Sequence, residues 1–107
     1  MAKNRKEYRL PSNIDSYEEL KTFVLSQGVK VVELTRKTKH LCGRVYHDEE
    51  RIEIYPLAFK DKIEFETLLH EYIHMFLGKG FGHRSLFKRL AISYGFKSKY
   101  ITPMEHK

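Results

Sequence analysis

One stretch, LLHEYIHMFLGKGFGH from Leu68 to His83, constrains the fold more than any other. At about 100° per residue, Phe65, Leu68, Leu69, Tyr72, Ile73 and Phe76 project onto one arc, which marks an amphipathic helix over about residues 61–77. A strand would scatter the same residues over both faces. His70 and His74 project to the opposite side, within about 40° of each other, so both are expected off the core face. The helix runs out into Gly78-Lys79-Gly80-Phe81-Gly82, whose glycines permit positive φ and a tight reversal before His83.

Two histidines at i and i+4 stack on one helix face, close enough for both imidazoles to reach one ion. Glu71 is displaced around the helix, where it addresses a water beside the ion and not the ion itself. His70-Glu71-Tyr72-Ile73-His74 is therefore HExxH in full, the pattern of a zinc hydrolase with a glutamate base. A tetrahedral catalytic zinc takes three protein ligands and leaves one position to water. The glycine turn delivers His83 as the expected third ligand. In metzincins the third histidine follows the second by six residues, and here the gap is nine, which excludes that family. GKGFG also fails as a phosphate-cradling loop, because the G-x-x-x-x-G-K-[ST] order is missing and no strand precedes it.

Composition narrows the alternatives. The one cysteine, Cys42, excludes an intramolecular disulfide and a cysteine-based zinc cluster, and it reads as a small buried hydrophobe. His40, His47 and His106 fall in expected turns or the tail and read as solvated. At 107 residues the chain suits one domain, expected over 14–107 behind a flexible basic arm over 1–13 that Pro11 interrupts. No stretch approaches the roughly 18 apolar residues of a membrane span, and the N-terminus lacks a signal-type apolar segment, so a soluble intracellular protein without membrane association is expected.

Between arm and metal helix the patterns are short. In DSYEELKTFVLSQG, Ser16 and Glu19 form a capping-box pattern, Leu20, Phe23 and Val24 recur at helical spacing, and Gly28 stops the helix. Three strand-like runs follow: 29–35, 41–47 and 51–56. Short polar turns between them predict an antiparallel meander. The run Arg51 to Tyr55 is the expected edge for an extended substrate. A last helix is expected over about 84–94.

At this point the residues carry a resemblance. HEYIHMFLGKGFGHRSLFKRL resembles the SprT-like zinc metalloproteases, the group that includes the Spartan DNA–protein crosslink protease: HExxH, a short connection, Gly82-His83, then Phe87-Lys88. Upstream, CGRVYHDEERIEIYPLAF is similar to that family's strand pair, and the resemblance covers about residues 16–96. It implies a small α+β, zincin-like minimal domain, with an N-terminal helix on a three-stranded antiparallel sheet, then the HExxH metal helix and a C-terminal helix. It also implies Zn2+ on His70, His74 and His83, Glu71 as base, and hydrolysis of peptide bonds in a protein or peptide substrate. The further zinc-binding and DNA-binding segments of larger members have no counterpart here, so a bare catalytic module is expected.

Two questions stay open at this stage. Tyr46, Tyr72, Tyr94 and Tyr100 each carry a hydroxyl for the oxyanion, but Tyr72 and Tyr94 fall on expected core faces, and the sequence does not choose between Tyr46 and Tyr100. A nucleic-acid-binding module with a structural zinc is the competing function. From Tyr72 to Met104 the chain has no acidic residue but carries Lys79, Arg84, Lys88, Arg89, Lys97 and Lys99, with Phe81, Tyr94, Phe96 and Tyr100 among them, which suits DNA. Glu71 separates the two, since a structural site has no use for it. A three-histidine nuclease is disfavoured because the segment after the motif offers no carboxylate ligand.

Overall fold

Ser16 starts the first helix, α1, Tyr17–Ser26, by accepting the Glu19 N–H on its hydroxyl at 3.2 Å. Glu18 and Glu19 in the first turn suit the helix dipole. At the other end Gly28, at φ 87°, donates to the Leu25 carbonyl, and the Val29 N–H reaches back to Val24; the two bonds close a Schellman cap. These bonds belong to a computed structural model that describes residues 8–78.

Three strands follow: β1 Lys30–Glu33, β2 Gly43–Tyr46 and β3 Arg51–Ile54. They do not form the antiparallel meander expected from sequence. The order is β1-β3-β2, with β1 parallel to β3 (Val31 opposite Ile52) and β2 antiparallel to it (Val45 opposite Ile52), so the sheet is mixed. The reason lies in the connections. His47 to Glu50 is a true hairpin turn, closed by the Glu50 N–H on the His47 carbonyl with Glu50 at φ 50°. Residues 34–42, read as a strand end, a turn and the start of the next strand, instead carry the chain past β3 to its far side. β3 holds Ile52 and Ile54 fully buried and therefore takes the centre. It has no edge left for a substrate, contrary to expectation.

A short helix that periodicity did not reveal, α2, Pro56–Lys60, follows β3 directly, with Pro56 in its first turn. Lys62 at φ 60° breaks it from α3, Glu64–Leu77. The long helix packs on β2, β3, α1 and α2, while α1 also covers β1. Leu20, Val24, Ile52, Ile54, Leu68, Leu69, Tyr72 and Ile73 make the centre of the core. Of the arm expected over 1–13, residues from Tyr8 onward are held against the body: Pro11 is buried, and the Tyr8 hydroxyl donates to the Glu50 carboxylate at 2.6 Å. Burial and that carboxylate hold the Tyr8 hydroxyl protonated well above its ordinary range. Among the described residues, no helix is long and apolar enough to cross a membrane.

Candidate metal centre

The helix carrying HEYIH is more enclosed than a one-sided amphipathic pattern suggests. From Thr67 to Ile73 every residue is buried, and Met75 as well. His70 is only 1% exposed and Glu71 6%, with His74 half-buried. The sequence expectation that both histidines lie off the core needs correcting for His70. Periodicity marks the strongest apolar stripe, but the sheet lies against one side of α3 and α1 against another, so a second face is covered too. Phe76, expected in the core, is half-buried, and Met75 is buried in its stead.

His70 and His74 face one another with ring centroids 5.0 Å apart and planes inclined by 69°. Each imidazole on a zinc ion has its centroid about 3.2 Å from the metal, given a Zn–N bond near 2.0 to 2.1 Å, and a tetrahedral angle then separates two centroids by about 5 Å. The pair fits that requirement. Imidazole nitrogens are also a donor type that zinc accepts readily. Among the described residues, no group of three His, Cys, Asp or Glu side chains stands together as a metal cage. His83, the expected third ligand, lies outside the described residues. So do the last helix over 84–94 and the basic set Lys79, Arg84, Lys88, Arg89, Lys97 and Lys99.

β2 passes close to Glu71 at Gly43. A Cβ placed on Gly43 would stand 3.2 Å from Glu71 Cγ and 2.6 Å from Thr67 Cγ2, so strand and helix meet there with no side chain between them. Because β3 is central, the strand beside the motif with an outer edge is β2, and among the described residues no strand pairs on that edge. The helix ends at Gly78, whose N–H donates to the His74 carbonyl at 2.9 Å, and its φ of 95° turns the chain off the helix axis one turn after the second histidine.

Neither described oxyanion candidate stands at this centre. The Tyr72 hydroxyl donates to the Arg9 carbonyl, and its ring packs edge-on against Phe23 and Tyr8. Tyr46 alternates away from Gly43 and Val45 to the sheet face opposite α3, where the Arg51 guanidinium lies 4.2 Å over its ring. Tyr94 and Tyr100 lie outside the described residues. His40 is exposed and His47 half-buried, both remote in sequence from the motif, and Cys42 is buried as expected. What sequence reasoning missed at the centre is Gly43; its signal was a glycine inside a strand, which often marks a close backbone approach.

No family model matches the chain, and no curated protein matches it. Its fold is nonetheless one found in a metallopeptidase. The crystal structure of the metallopeptidase zymogen of Pyrococcus abyssi abylysin superposes with a TM-score of 0.55 at 21% identity, covering 81% of this chain and 83% of that one. The likeness is one of fold and does not single out the SprT-like group.

Proposed function

We propose that this chain is a zinc-dependent peptidase, with His70, His74 and His83 holding the metal and Glu71 acting as general base. The observation that carries the proposal is the pair of imidazoles 5.0 Å apart on one helical turn, with Glu71, next to His70 in the chain, buried. The likeness to a metallopeptidase fold supports the same reading.

Zinc bound there supplies Lewis acidity to a water and to the scissile carbonyl. The remaining work falls to the chain. His70 and His74, as neutral imidazoles, would hold the metal together with His83. Glu71 takes a proton from the attacking water and passes it to the departing amine. The outer edge of β2 offers main-chain partners to an extended peptide, which gives weak dependence on the peptide's side chains.

The finer assignment, to the SprT-like group acting on DNA-associated proteins, is supported by the quoted motif residues, by the net charge of +6 and by the acid-free run after Glu71 up to Met104. Elemental analysis of purified protein should give about one zinc per chain. Casein digestion, run with and without single-stranded DNA, should proceed in the wild type. In Glu71→Gln it should fall by at least about a hundredfold with zinc retained. Undiminished cleavage by that variant would remove Glu71 from the mechanism.

A further inference from the structure

Gly43 is a glycine for which backbone conformation gives no reason. Among the described residues, the glycines with positive φ are Gly28 and Gly78, and Gly43 sits in regular pairing opposite Ile54. Space gives the reason. A Cβ at Gly43 would meet Thr67 Cγ2 at 2.6 Å, Glu71 Cγ at 3.2 Å and the Glu53 carbonyl oxygen at 3.3 Å. The notch is floored by the neighbouring strand, and two of its walls, four residues apart, belong to α3. Anything larger than hydrogen presses on α3 at both, hardest at Thr67.

We propose that Gly43 is a positioning residue for Glu71, setting the height of α3 above β2 and with it the position of the carboxylate relative to a peptide on that strand. This rests on the peptidase reading above. His70 and His74 ride on the same rigid helix, so lifting it leaves their mutual spacing unchanged and the metal bound. The distance from Glu71 to a substrate fixed by the strand does change. An error of about 1 Å in such a placement costs up to about a hundredfold in rate.

Thr67 supplies the means of testing this. It is fully buried, and among the described residues its hydroxyl has no hydrogen-bond partner, so the methyl is the part of the side chain that fits the notch. Gly43→Ala combined with Thr67→Ser moves one methyl from helix to strand at nearly constant volume.

The experiment compares wild type, both single variants and the pair. Its readouts are zinc content, kcat and KM on casein, and the melting temperature of the metal-free protein. Gly43→Ala should keep about one zinc per chain, lose about tenfold or more in kcat with KM within about twofold, and melt about 5 °C lower. The double variant should recover most of both losses. Wild-type kcat in Gly43→Ala overturns the proposal. So does a double variant whose melting temperature recovers while its kcat does not. If wild-type protein leaves casein intact, the peptidase reading fails by itself. The melting temperatures then still decide whether the two sites share one space, since additive losses would show that they do not.

Discussion

On the proposed reading, the imidazole pair on one helical turn supplies two of the three protein ligands of a zinc site, and His83 is expected to supply the third. His83→Ala should therefore drop zinc from about one per chain to well below that after dialysis against a mild chelator, while far-ultraviolet circular dichroism stays that of the folded protein. Full zinc retention would exclude His83 as a ligand. At this scale the sequence was informative because the chemistry is local: HEYIH needs only helical spacing to place His70, Glu71 and His74. Enclosure of His70 was not legible, since it depends on which other elements cover the helix. Nor was the role of Gly43, whose neighbours Thr67 and Glu71 are remote in sequence.

Elements with capped ends were read closely, and α1 is the clearest case, bounded by Ser16 and Gly28 as expected. Gly28→Ala forces a Cβ into the left-handed region at φ 87° and should cost about 1 kcal/mol, read as a shift in the urea midpoint with unchanged slope. The strands were found but not their order. Alternation in Ile52, Glu53 and Ile54 says which face is wet; it carries no information on which strands lie alongside. Five residues are too few for α2 to show a helical period, and Pro56 reads equally well as the end of a strand or as the first turn of a helix. The parallel pairing of β1 with β3 was hidden for a related reason: the stretch that crosses between β1 and β2 has the polar composition of a turn.

For the molecule as a whole, acid sensitivity has an identifiable contributor. The Tyr17 hydroxyl and Lys21 ammonium, at 2.7 and 3.0 Å, hold the Glu33 carboxyl below its ordinary value of 4.5, and thereby tie α1 to β1. A group whose folded pKa is lowered stabilises the fold above its unfolded value and loses that contribution as pH falls through the folded one. Wild type should therefore melt higher than Glu33→Gln at pH 7, by a modest margin because the site is partly exposed, and the gap should close as pH falls below the ordinary value of 4.5 and through the lowered one. A gap independent of pH would show that charge at Glu33 is not what matters. The central place of β3 has a different kind of consequence, one of timing. Both outer strands leave the ribosome before the strand that joins them, and α3, which covers the sheet, follows all three strands in the chain. A nascent chain ending before Arg51 holds two strands with nothing to pair them. Sheet, core and metal helix must then assemble together as residues 51–77 emerge, late and in one step, and until then the apolar faces of α1 and β1 depend on whatever else in the cell shields nascent chains.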